Sequence, residues 1–346
     1  MKAINIEALT RDNVRRLTPY SSARDEFTGA EGVFLDANEN PFPSKVNRYP
    51  DPQQRELKSK FADLRGVRKD QLIIGNGSDE ILDLVFRAFC EPGKDFVVTI
   101  KPSYGMYKVL ANMNDVKLSE VALDHNFDLD VDAILAASEG AKMIILCSPN
   151  NPTGNLLNKD SIKEILEKFN GLVLVDEAYI DFADKASMLD ELTNYQNLMV
   201  SQTFSKAFGM AGIRVGVGIA HEEIINILNR IKPPYNVNGI SQEMALNRLG
   251  RIEEVASEIT QLKLERSRLI NFLEHQDAVI RVYPTDANFV LFKVSDANKY
   301  YDRLVEKGVI VRNRTSAFGC ENCLRLSVGT KEENNRFMEV FDTINI

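Results

Sequence analysis

Between residues 72 and 220, short apolar runs at 72–74, 96–100, 143–147, 172–175, 198–201 and 215–219 alternate with stretches of helical periodicity. Runs this short, rich in Val and Ile and bounded by Gly, Pro or Asp, suit strands buried on both faces. The intervening stretches show the other period. At 79–90, Ile81, Leu82, Val85, Phe86 and Phe89 recur at helical spacing, and 159–169 does the same with Ile162, Ile165 and Leu166. Strand-type runs alternating with helical stretches predict an α/β fold, a largely parallel sheet wrapped by helices.

Past residue 219 the pattern changes. A predicted helix at 222–231 stops at Pro233-Pro234, and a polar-faced helical stretch runs from about 241 to 275. The remainder reads strand, helix, strand, strand, helix, with strands at 289–294, 309–312 and 324–328. The expected division is an amino-terminal arm over 1–30, a large domain over 31–240 and a smaller α+β domain over 241–346, hinged on the long helix. A chain of 346 residues carries two such cores without external staples.

Composition removes several function classes. With 44% hydrophobic and 27% charged residues, the chain is an ordinary folded protein. Its formal net charge of −8 disfavours phosphate backbones and anionic membranes, so no nucleic-acid or membrane partner is expected. The three histidines, His125, His221 and His275, are too dispersed for a zinc site or a proton relay, and no metal is expected. Cys320 and Cys323 form a C-x-x-C without a second pair, which reads as reduced core or turn cysteines. The amino terminus lacks an apolar leader, and no apolar run approaches the roughly 18 residues of a membrane span. A cytoplasmic location is expected.

Four segments carry candidate chemistry. Gly75-Asn76-Gly77-Ser78-Asp79-Glu80 lies between a strand and a helix, where free N–H groups can bind a phosphate, although Ser78 could equally serve as an N-cap. It lacks the full spacing of either nucleotide-binding glycine fingerprint. Ser148-Pro149-Asn150-Asn151-Pro152-Thr153-Gly154 is a rigid loop or a simple turn at the carboxyl end of a strand, where open α/β sheets bind ligands. The strand before Asp176-Glu177-Ala178-Tyr179 ends in a carboxylate that is either a helix N-cap or an acid aimed into the crevice. In Thr203-Phe204-Ser205-Lys206, followed by Arg214, the lysine is either a solvated surface residue or a desolvated nucleophile of lowered pKa.

In their order along the chain, these segments resemble the aminotransferases of the fold-type-I pyridoxal phosphate superfamily, and more narrowly the histidinol-phosphate aminotransferase family. The likeness extends to Leu17-Thr18-Pro19-Tyr20, Asp36-Ala37-Asn38-Glu39-Asn40-Pro41, Arg48-Tyr49-Pro50-Asp51-Pro52, Val311-Arg312-Asn313 and Cys323-Leu324-Arg325-Leu326-Ser327, so it spans nearly the whole chain. It implies a large domain with a mostly parallel, seven-stranded sheet and a smaller α+β domain.

The resemblance also implies roles. Lys206 would bond to the aldehyde of pyridoxal 5'-phosphate and then move a proton, and Asp176 would pair with the pyridine nitrogen. Asn151 and Tyr179 would hydrogen-bond the ring 3′-oxygen, and Tyr104 would stack on the ring, its other reading being a core aromatic. Gly77, Ser78, Asp79, Thr203, Ser205 and Arg214 would hold the phosphate, joined by Tyr49 from the partner subunit of a homodimer. Arg312 and Arg325 would clamp the anionic substrates, histidinol phosphate and glutamate or 2-oxoglutarate, with Tyr20 and Asn38 closing over them. Arg325 alternates with Leu324 and Leu326, so it should face away from the core, and a structural ion pair is its other reading. Rival functions are a threonine-phosphate decarboxylase, an aromatic-amino-acid aminotransferase and a non-catalytic cofactor-binding regulator. A dehydrogenase reading of the glycine turn leaves Lys206 and Asp176 unexplained.

Overall fold

The computed structural model describes residues 4–19, 32–185 and 187–344. Seven strands form one sheet: β1 (Leu72–Asn76), β2 (Phe96–Lys101), β3 (Lys117–Ala122), β4 (Met143–Cys147), β5 (Leu172–Asp176), β6 (Leu198–Thr203) and β7 (Val215–Ala220), in the spatial order β1-β7-β6-β5-β4-β2-β3. All neighbours are parallel except the two pairs made by β7. Burial on both faces explains the continuous apolar runs. Along β4, Met143, Ile145 and Cys147 enter one hydrophobic cluster with the Ser78–Phe89 and Glu222–Ile231 helices. Ile144 and Leu146 enter a second cluster, with the Lys159–Lys168 and Arg55–Arg65 helices on the opposite face.

A second, antiparallel sheet comprises β8 (Val279–Val282), β9 (Phe289–Val294), β10 (Arg312–Asn313) and β11 (Cys323–Ser327), ordered β10-β11-β9-β8. The Ala297–Glu306 and Lys331–Asp342 helices pack on it through a third cluster. The expected single helix over 241–275 is two, Gly239–Leu249 and Ile252–Glu274, interrupted at Gly250 and Arg251. Ala245 and Val255 join the large-sheet core, whereas Leu269 and Leu273 join the small-sheet core. Within the first nineteen residues, two short helices, Ile6–Leu9 and Asp12–Arg15, bury Ile6 and Val14 against the large sheet's helices. Among the described residues no helix is long and apolar enough to cross a membrane.

Two strands, β3 and β8, were not anticipated. β3 is an edge strand with no fully buried residue and no apolar run, whereas β8 is an edge strand whose apolar Val279, Ile280 and Val282 are interrupted by Arg281 and are not buried. The backbone geometry that matters most lies where β1 meets β7. A side chain at Gly216 of β7 would place its Cβ 2.2 Å from the Ser78 nitrogen, so only glycine lets β7 run beneath the turn that starts the Ser78–Phe89 helix.

Candidate active site

The carboxyl ends of β4, β5 and β6 stand side by side, with Cys147 opposite Asp176 and Asp176 opposite Ser201. Ligands of open α/β sheets bind at this edge. Asp176 is almost wholly buried. Its Oδ2 accepts from Tyr107 Oη at 2.8 Å, and its Oδ1 accepts from Ser201 Oγ and from the Ala178 N–H, each at 3.2 Å. Burial pushes its pKa up, and these three hydrogen bonds pull against that push. Asp176 is therefore a strand-end acid facing the crevice and caps no helix.

After β6 the chain turns sharply. Phe204 and Phe208 are buried and pack against each other at 4.7 Å, which anchors the turn in the core and leaves Lys206 at its crest. Gly209, at φ +68°, closes the turn by donating to the Lys206 carbonyl. The Lys206 amine lies 5.4 Å from the centre of the Tyr179 ring. Its pKa is lowered from the ordinary lysine value, first by burial and then by the Arg325 charge, with Asp176 and Asp79 opposing. That is the environment of a nucleophilic amine.

Tyr179 Oη accepts from Asn151 Nδ2 at 3.3 Å, and the Asn151 Oδ1 accepts from Arg325 Nη1. Asn151 therefore joins the phenol to the guanidinium. Arg325 sits 5.1 Å over the Phe289 ring while Leu324 and Leu326 enter the small-sheet core, so it faces away from them as the strand period requires. Its Nε is buried and has no partner among the described residues.

The other end of the cleft is built for an anion. Gly77 adopts φ 78° and ψ 165°, turning β1 into a helix whose first N–H groups have no helical acceptor. Arg214, itself left-handed at φ 54°, brings its guanidinium alongside: Nη2 lies 3.6 Å from Asp79 Oδ2, and Nη1 lies 3.4 Å from Ser205 Oγ. A Cβ at Gly77 would fall 2.5 Å from Arg214 Nη2, so the glycine makes room for this cradle. Tyr104 Oη donates to Asp79 Oδ1 at 3.3 Å. Ser78 begins the helix without a side-chain cap, which removes its simpler reading.

One cleft thus collects Ser78, Asp79, Tyr104, Asn151, Asp176 and Tyr179 with Thr203, Ser205, Lys206 and Arg214. An anion cradle, an amine and a buried acid in sequence fit an aromatic aldehyde bearing a phosphate and a ring nitrogen. Among the described residues no cluster of His, Cys, Asp or Glu could hold a metal. The family described as aminotransferase class I and II matches residues 35–341. The chain belongs to the class I and II aminotransferase family.

Relatives of this aminotransferase include a histidinol-phosphate aminotransferase from Christiangramia forsetii, 53% identical and covering 99% of this chain and 98% of its own. The solved histidinol-phosphate aminotransferase from Clostridium acetobutylicum superposes with a TM-score of 0.80 at 27% identity, covering 86% of this chain and 90% of that one. Another, from Sinorhizobium meliloti in complex with pyridoxal-5'-phosphate, shares the fold with a TM-score of 0.80 at 24% identity, covering 89% and 90% of the two chains.

Not every residue expected in the aminotransferase site reaches the cleft. Tyr20 lies outside the described residues. Asn38 and Tyr49 line a separate cavity of about 720 Å³ with Tyr235, on which Tyr49 stacks at 4.5 Å. Arg312 is exposed on β10, directly opposite Arg325 in the antiparallel register, so the two share a sheet face. Tyr107, Ser201 and Phe289 went unnoticed in the sequence. A tyrosine one helical turn after Tyr104, and a serine in the otherwise apolar start of β6, were the available signals.

Proposed function

We propose that the chain is a pyridoxal-phosphate-dependent aminotransferase that converts L-histidinol phosphate and 2-oxoglutarate into imidazole acetol phosphate and L-glutamate, within histidine biosynthesis. The observation that carries this reading is the placement of Lys206 in one cleft with the buried Asp176 carboxylate and the Gly77–Arg214 cradle. The names of relatives about half identical over nearly the full length support the substrate.

When bound, pyridoxal phosphate supplies an electron-accepting ring that takes up the electrons left when the substrate α-carbon loses a proton. Ser78 and Asp79 present backbone N–H groups to the phosphate, and Arg214, Ser205 and Thr203 add charge and hydroxyls. Asp176 would accept a hydrogen bond from a protonated ring nitrogen and pair with its charge, offsetting the burial that raises the carboxyl's pKa. Asn151 and Tyr179 would hydrogen-bond the ring oxygen, and Tyr104 would cover the ring face. Lys206, lowered in pKa, is neutral more readily than a surface lysine, so its amine would hold the cofactor's aldehyde carbon and serve as the base that moves the α-proton.

Substrate selection rests on Arg325, with Arg312 beside it and Tyr20 and Asn38 closing from the amino-terminal side. Histidinol phosphate presents a phosphate and glutamate presents carboxylates, and a planar guanidinium fork accepts both in bidentate fashion. The reading includes a homodimer, in which Tyr49 reaches the partner's phosphate. Tyr49 is half exposed, and Val46 and Ile240 of the same cavity are exposed apolar residues that a second copy would cover. It also includes the division into arm, large and small domains at 1–30, 31–240 and 241–346, and a cytoplasmic location.

The test is optical. Incubation with pyridoxal phosphate should give an absorbance band at the blue edge of the visible that borohydride abolishes, present in the wild type and absent in Lys206→Ala. A wild-type protein that stays colourless overturns the reading.

A further inference from the structure

Behind the buried end of the cleft lies a pair of hydroxyls, those of Tyr107 and Ser201, neither of which lines it. Tyr107 lies in the first turn of the Met106–Met113 helix and is 1% exposed. It does not line the cleft. Its Oη donates to Asp176 Oδ2 at 2.8 Å, and its ring meets the Tyr104 ring edge-on at 5.5 Å and 88°. Ser201, fully buried on β6, donates to the other carboxylate oxygen at 3.2 Å.

Packing alone does not require that phenol oxygen. A phenylalanine would fill the same space, whereas a buried hydroxyl costs free energy unless it finds a partner. Here the partner is the one carboxylate in the cleft floor.

Counting acceptor positions shows what the arrangement does. A carboxylate offers about four lone-pair positions. On Oδ1 two are taken, by Ser201 Oγ and the Ala178 N–H, and on Oδ2 one is taken by Tyr107. One position on Oδ2 remains, and Asp176 lines the cleft. The three donors come from a helix, a neighbouring strand and the following turn. With both oxygens tethered, the carboxylate plane cannot rotate.

We propose that Tyr107, backed by Ser201, is a positioning residue that locks the Asp176 carboxylate so that the remaining Oδ2 acceptor faces the cofactor's ring nitrogen. This deepens the proposed function and rests on it. Tyr107 touches neither cofactor nor substrate. It acts through Asp176, and through Tyr104 it supports the aromatic wall of the same cleft.

The experiment compares equilibrium binding of pyridoxal phosphate and of its 1-deaza analogue, in which CH replaces the ring nitrogen, to wild type, Tyr107→Phe and Ser201→Ala. Wild type should prefer pyridoxal phosphate. Losing a hydrogen bond to a charged group should reduce that preference about tenfold or more in Tyr107→Phe, with affinity for the analogue nearly unchanged. Ser201→Ala should lose preference in the same sense and stands as the test should Tyr107→Phe fail to fold. Folded variants that keep the wild-type preference, or that lose both ligands equally, overturn the proposal while leaving the proposed function intact. A wild type that binds no pyridoxal phosphate overturns both.

Discussion

Replacing Gly77 by alanine puts a methyl group where the Arg214 guanidinium now lies. The backbone there, at φ 78° and ψ 165°, falls in a region occupied almost only by glycine, and forcing alanine into it costs about 1–3 kcal/mol. The new Cβ would also stand 2.5 Å from Arg214 Nη2, so the guanidinium must retreat by about 1 Å to reach van der Waals separation. A retreat of that size takes the guanidinium out of hydrogen-bonding reach of a phosphate held on the helix N-terminus. One charge-assisted bond is worth about 1.5–3 kcal/mol, so affinity for pyridoxal phosphate should fall about tenfold to a hundredfold. Pyridoxal, which lacks the phosphate, should bind nearly as before. Equilibrium dialysis of both ligands against wild type, Gly77→Ala, Arg214→Ala and the double variant measures this. Without Arg214 the methyl meets no guanidinium, so the double variant should lose less than the sum of the singles. Additive losses, or equal weakening of pyridoxal and its phosphate, would refute the cradle.

Asp176→Asn should lose the preference for pyridoxal phosphate over its 1-deaza analogue at least as fully as Tyr107→Phe, while kcat falls about a hundredfold to a thousandfold because the electron sink loses its preorganised counter-charge; a variant that keeps that preference or its turnover would contradict that role. Arg325→Leu removes a cation that holds the Lys206 pKa down, so the ammonium form becomes easier to keep and the pKa rises. Fewer amines are then neutral at a given pH, and the acid limb of cofactor incorporation should move to higher pH; a limb that stays or moves lower would count against the coupling. Gly216→Ala drives a methyl into the backbone at Gly77 and Ser78, and chemical denaturation should show a loss of about 3 kcal/mol or more. A near-neutral result there would mean that β1 and β7 are less tightly apposed.

What could be read in advance follows physical lines. Strands β4 to β7 are buried on both faces, and that burial writes itself as near-continuous apolar and glycine residues, broken only at the polar ends of β5 and β6. The edge strand β3 has no fully buried residue and loses that signature, whereas the other edge strand, β1, is covered on both faces and keeps it over Leu72–Ile74. The break at Gly250-Arg251 was hidden because a helix-compatible pattern continues on both sides of it. Within the cleft, Lys206, Asp176, Asn151 and Arg214 are legible because their segments follow one another along the chain in the order that resembles the aminotransferases. Tyr107 is not, since a tyrosine in an amphipathic helix looks like any core aromatic until its oxygen is seen on Asp176. Asn38 and Tyr49 lie apart from the cleft of their own chain, on a cavity wall that also bears exposed apolar side chains.

The central claim is that one cleft transfers an amino group from histidinol phosphate through Lys206. Purified enzyme loaded with pyridoxal phosphate and supplied with 2-oxoglutarate should form glutamate with histidinol phosphate as donor, much faster than with threonine phosphate or phenylalanine, and Lys206→Ala should abolish it. Glutamate formed only from phenylalanine, carbon dioxide released from threonine phosphate, or no turnover of histidinol phosphate would contradict the account.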